Sequence, residues 1–194
     1  MKTVTRAYLD ANATHPLLPQ ARQAVVDALE LPGNPSSVHE EGRAARRLIE
    51  ESRRAVASAV NAKPEHVTFT AGATEAANLL LTPHWQLGRS KLAMGSLYVC
   101  AADHPCLLAG GQFAPEQLTI LPVLPSGELA LAELEAALAA HDKSSGLPLV
   151  AVHHANNETG VIQPVAAAAR AAHAKGVVIH TDAAQSVGKI RVNV

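Results

Sequence analysis

Apolar residues at Ala21, Val25, Ala28 and Leu29 recur at helical spacing, and this stretch ends at Pro32-Gly33, so a helix is expected over 20–29. After the loop GNPSSVH, residues Ala44, Ala45, Leu48, Ile49, Ser52, Val56, Ala59 and Val60 form one stripe of a longer helix over 40–61. Its charged residues lie mostly off that stripe and read as a solvated face, with Glu50 and Arg54 spaced as an i,i+4 pair. The pattern then changes to short β-prone runs at 66–70, 97–102, 118–124, 149–155 and 177–182. Helical stretches at 73–81, around 106–112, at 130–140 and at 165–175 separate them. Such alternation predicts βαβ units, hence an α/β fold with a mainly parallel sheet flanked by helices. A helical N-terminal arm over 1–62 precedes an α/β body over 63–194, with the boundary near Lys63-Pro64.

Composition narrows the class. Of 194 residues 48% are hydrophobic and 17% charged, which rules out disorder, and the 3% aromatic content favours Ala/Val/Leu packing over a β-sandwich. A net charge of -1 shows no basic surplus that draws a chain to nucleic acid or anionic membrane, and no apolar run is long enough to span a bilayer. Neither nucleic acid nor membrane is expected as a partner. Two cysteines, Cys100 and Cys106, are too few for a disulfide framework, so a reducing, cytoplasmic setting is the expectation.

In an open parallel sheet, ligands bind beyond the carboxyl ends of the strands, where loops and helix N-termini gather. Gly72-Ala73-Thr74 there forms a small-residue turn into a helix and suits a phosphate, although a plain helix cap reads the same way. Further strand ends carry Asp103-His104-Pro105, Asn156-Asn157-Glu158 and Asp182 followed by Gln185. A phosphate cup, a stackable imidazole at His104, a carboxylate at Asp182 and hydrogen-bonding Asn157 and Gln185 together suit pyridoxal phosphate. A metal site is disfavoured. His153 and His154 are adjacent on a strand and point to opposite faces, while Cys100 and Cys106 lack a closed four-ligand spacing and read as packing residues. No phosphate-loop or dinucleotide glycine motif occurs.

The strings YLDANATHP, GNPSSVH, FTAGATEAANLLL, DHPCLL, HHANNETGVIQPV and HTDAAQSVGKI, in this order along nearly the whole chain, closely resemble cysteine desulfurases of the NifS/IscS type, within the class V aminotransferases. The resemblance implies the large-domain fold of pyridoxal-phosphate-dependent transferases and conversion of L-cysteine to L-alanine with sulfur passed through an enzyme persulfide to an acceptor protein. It implies that His104 stacks on the ring and assists proton transfer, that Asp182 partners the pyridine nitrogen, and that Thr74 binds the phosphate. Asn157 and Gln185 become cofactor and substrate contacts, while Asn34 and the segment 11–14 line the substrate entrance. A homodimer is implied as well. The Schiff-base lysine of the family lies in a Ser-x-His-Lys string after the Asp and Gln motif, and no such string occurs. Lys189 matches the family's Gly-Lys instead, and the sulfur-accepting loop cysteine and the carboxylate-binding arginine belong to the family's later half. The expectation is therefore an N-terminal part, inactive alone. A non-catalytic split half and another class V member such as selenocysteine lyase are the alternatives.

Overall fold

The computed structural model describes residues 6–194, which divide into two compact units: residues up to Thr68 with Arg191–Val194, and Phe69–Ile190. In the first, α1 (Pro19–Leu29) begins with proline in its opening turn, where a missing N–H costs nothing. The second helix, α2 (Glu40–Ala59), is capped by His39, which accepts from Gly42 N, and Glu40 and Glu41 complement its positive end. Asn61, at φ 57, turns the chain out of the helix. The ion pair formed on α2 is Arg53 with Glu50, not the expected Arg54 with Glu50, because Arg53 turns toward Val67 and donates to its carbonyl. The apolar stripe of α2 is not a buried seam: Leu48, Ile49 and Val56 are exposed, and no residue of α1 is buried.

No strand forms at 66–70. Pro64–His66 is a single 3-10 turn, and the backbone beyond it is irregular. Val67 N donates to Pro64 O and Val67 O accepts from Arg53, so local partners take the groups a β-ladder needs.

The second unit contains α3 (Ala73–Leu80), β1 (His84–Leu87), β2 (Ser90–Cys100), α4 (Pro105–Leu108), β3 (Leu118–Leu121), α5 (Leu131–Ala140), β4 (Leu147–His153), α6 (Val165–His173) and β5 (Val178–Asp182). The last part of β2 lies between β3 and β4, and β5 joins β4, all parallel. Sequence patterning missed β1 and the first half of β2. They form an antiparallel hairpin whose two-residue loop opens with Gly88 at φ 60, the left-handed conformation such loops need. Helix α4 stops at Leu108, short of the expected 112, because Gly110 and Gly111 adopt φ 76 and 58. The β2–β4 register shifts at Gly95, where a Cβ would come within 2.5 Å of Ser145 O, so only glycine allows the loop before β4 to sit this close.

Strand residues alternate between two cores. Tyr98, Cys100, Val150 and Val152 pack with Leu134 and Leu138 of α5 and Ala168 and Ala172 of α6. Leu97, Val99, Leu149 and Ala151 pack on the other face with Ala77 of α3 and Leu107 of α4. Helices cover both faces because β2 and β4 carry buried apolar residues on each, and the arrangement is a mostly parallel sheet flanked by helices, as expected.

Candidate active-site cleft

One cleft of about 140 Å³ opens at the carboxyl ends of β2, β4 and β5, lined by Ala73, Thr74, His104, Asn157, Asp182 and Gln185 together with Cys106, His153, Ala155 and Ala184. Six residues singled out from the sequence thus meet across four chain segments. Gly72 is not among the lining residues; it precedes α3 at φ 170, an extended conformation open to any residue, and a Cβ there meets nothing within 4 Å. Nothing within the chain requires glycine at that position. Asn34 and the segment 11–14 belong to the other unit, where Asn34 Oδ1 accepts from Ser36 N at 2.9 Å and Asp10 Oδ1 accepts from Ala13 N at 3.2 Å.

Each cleft residue is held by local chemistry. The N-terminus of α3 has no side-chain cap, so the opening N–H groups of the helix and the Thr74 hydroxyl lie where an anion is favoured. His104 caps α4: its Nδ1 accepts from Cys106 N at 3.2 Å and faces Cys106 Sγ at 3.1 Å, so the proton of the neutral ring belongs on Nε2. Asp182 closes β5, and its Oδ1 accepts from Ala184 N at 2.9 Å. Gln185 Oε1 accepts from Lys189 Nζ at 2.6 Å, one helical turn on, and Asn157 Nδ2 donates to Glu158 Oε1 at 2.7 Å.

Three groups were missed. Cys106 is a cleft residue as well as a packing one. Burial, then the negative charge of Asp182, pushes its thiol above the ordinary range, which keeps it an S–H donor toward His104. His153 also lines the cleft, although only His104 was expected to have a chemical position. Buried Asp103 holds it, through Oδ1 to His153 Nδ1 at 2.5 Å and to His153 N at 2.8 Å. A long-range carboxylate contact of this kind has no local signature: Asp103 follows one predicted strand and His153 lies inside another, 50 positions on. Cys100, Asp103 and His153 bring ligand-type atoms within 4.8 Å of one another. Here the carboxylate is engaged by hydrogen bonds from Cys100 N and His153, and burial pushes the Cys100 thiol up to about 11. His180, inside β5, is pushed down by burial and stays neutral at neutral pH.

The cleft thus brings the uncapped start of α3, an imidazole, a carboxylate and two side-chain amides to one place. Comparisons with known proteins place the chain in a family. The aminotransferase class-V family profile matches residues 7–194. An IscS-like cysteine desulfurase of Mycobacterium tuberculosis is 36% identical over 189 residues, covering 95% of this chain and 47% of that protein. A human cysteine desulfurase is 38% identical over 192 residues, 96% of this chain and 40% of that protein. A NifS-like protein from Rickettsia africae superposes with a TM-score of 0.82 at 29% identity, over 96% of this chain and 50% of that one. The chain spans about half the length of the relatives it matches. With the parallel sheet, the cleft at its strand ends and the family profile in agreement, the chain belongs to the class V aminotransferase family and matches the N-terminal part of its IscS/NifS-like cysteine desulfurases.

Proposed function

We propose that this sequence forms the N-terminal, cofactor-cradling part of a pyridoxal-phosphate-dependent cysteine desulfurase. The complete enzyme would convert L-cysteine to L-alanine and pass sulfur to an enzyme thiol, for delivery to an acceptor protein in iron–sulfur cluster or thio-cofactor assembly. The supporting observation is the convergence of Ala73, Thr74, His104, Asn157, Asp182 and Gln185 on one cleft. The proposal keeps a helical arm over 1–62 and an α/β body over 63–194, a homodimer, and a substrate entrance that includes Asn34.

The donor set fits the cofactor. The uncapped start of α3 and the Thr74 hydroxyl would hold the phosphate, with Gly72 leaving room beside it. Asp182 would hold the proton on the pyridine nitrogen, and when bound the ring supplies an electron sink for negative charge at the substrate α-carbon. His104, with Nδ1 committed to Cys106, presents Nε2–H and so enters any proton transfer as a donor first. Asn157 and Gln185 would orient ring and substrate by hydrogen bonding.

The alternative reading is a split half that binds the cofactor weakly or assembles with a partner without turnover. One assay separates the two. Pyridoxal phosphate and L-cysteine are added to the 194-residue chain and to the longest native polypeptide, and sulfide and alanine are measured. The chain alone should give neither above the free-cofactor background, and the longer polypeptide should give both. There, Asp182→Ala should cut alanine formation about a hundredfold or more. Wild-type turnover in that variant would refute the role of Asp182, and turnover by the short chain alone would refute its dependence on a missing half.

A further inference from the structure

The last register pair between β2 and β4 is Val99 with Ala151. Beyond it the two strands part and the cleft opens. Cys100 N and His153 N lie past that pair, and the Asp103 carboxylate accepts from both, at 2.8 Å each, in place of the ladder that has ended. The same carboxylate takes His153 Nδ1 at 2.5 Å. On the far side of the ring, Gln163 Oε1 accepts from Leu129 N at 2.7 Å and Gln163 Nε2 donates to Gly127 O at 3.0 Å. That fixes the amide orientation, so the remaining Nε2 hydrogen points at His153 Nε2, 3.2 Å away. His153 is thereby a neutral Nδ1–H imidazole, a donor to Asp103 and an acceptor from Gln163. A second bridge runs parallel to the first: Asn156 Nδ2 donates to Ala102 O at 2.8 Å while its Oδ1 accepts from Glu158 N and Thr159 N. Asp103, His153, Asn156 and Gln163 are all buried. The two loops joined by these bridges are the ones that carry His104 and Asn157 into the cleft.

We infer that His153 is a positioning residue: the relay Asp103–His153–Gln163 locks the exit loops of β2 and β4 together and so sets the place of His104 and of Asn157. The functional consequence rests on the reading of the cleft as a pyridoxal phosphate site; the tautomers do not. A residue that merely filled space would be replaced equally well by any side chain of similar bulk, whereas a relay needs a donor at Nδ1.

The test combines long-range 1H–15N spectra of the histidine-labelled native polypeptide with titration by pyridoxal phosphate, followed by absorbance. His153 should carry its proton on Nδ1 and His104 on Nε2. His153→Leu should shift the His104 ring resonances and weaken pyridoxal phosphate binding about tenfold. His153→Asn, whose amide N–H stands in for Nδ1–H, should restore both. An unchanged His104 spectrum and affinity in His153→Leu, or equal loss in His153→Leu and His153→Asn, overturns the relay. Should His153→Leu fail to fold, the wild-type spectrum still decides, since an Nε2–H or doubly protonated His153 at neutral pH is incompatible with these bonds. Wild-type protein with the expected tautomers but no cofactor binding would refute the cofactor reading and leave the relay standing.

Discussion

Cys100 shows how a single buried side chain couples the fold to solution conditions. It is buried in the core on the α5–α6 face of the sheet, and burial pushes its thiol from 9.0 up to about 11. The folded chain thus holds this proton more tightly than the unfolded one. The stabilisation is fully present below pH 9 and is lost as pH rises from there through about 11. Denaturant unfolding across that range should therefore show a steeper decline for wild type than for Cys100→Ala, the difference amounting to about 2 kcal/mol. Parallel curves for the two proteins would mean that the thiol ionises in the folded state as readily as in the unfolded one. His104 makes the complementary point. The dipeptide Asp103-His104 can be picked out by reading the chain, but the commitment of Nδ1 to Cys106 depends on His104 being the residue that starts α4.

At the scale of elements, α3 is the helix on which the cofactor proposal depends. Its first turn has no side-chain cap, and its N-terminal Gly72 has a conformation that any residue can adopt, with open space where a Cβ would project. Gly72→Ala should leave the unfolding midpoint within about 0.5 kcal/mol of wild type, because neither clash nor left-handed strain is introduced. If that space is where the phosphate lies, the same substitution should weaken pyridoxal phosphate binding severalfold, measured by absorbance titration. Loss of stability without loss of binding would assign Gly72 to folding alone. The hairpin β1–β2 is an element of a different kind: its edge strand is mostly exposed, and it carries none of the residues of the cleft.

For the molecule as a whole, burial is concentrated in the central strands. Leu149 is fully buried on the α3–α4 face, and its strand β4 is paired on both sides, by β2 and by β5. Leu149→Ala should destabilise the second unit by about 2–5 kcal/mol, read from chemical unfolding monitored at Trp85, a residue packed against the same cluster. A loss below about 1 kcal/mol would show that this core relaxes around the cavity. The first unit differs in kind, since Leu9, Leu29 and Val38 are exposed at 80% or more. Among the described residues no helix is long and apolar enough to cross a membrane.

The alternation of short apolar runs with helical stripes was enough to determine a parallel α/β sheet, because strands buried on both faces need apolar residues at every position. It also drew attention to the polar residues that close or follow the apolar runs, Asp103-His104, Asn156-Asn157 and Asp182, although Ser96, His180 and Thr181 lie inside strands as well. What local patterning could not convey depended on partners far along the chain. The run at 66–70 is β-prone, yet Arg53 and Pro64 take the backbone groups of Val67, so it stays irregular. The hairpin at β1 needed the left-handed turn at Gly88, and the end of α4 needed two left-handed glycines. The union of Asp103 with His153, 50 positions later, arises where β2 and β4 part and a carboxylate replaces the lost ladder. Sequence periodicity reports which face a residue occupies; which side chain fills the gap between diverging strands is decided only when the sheet exists.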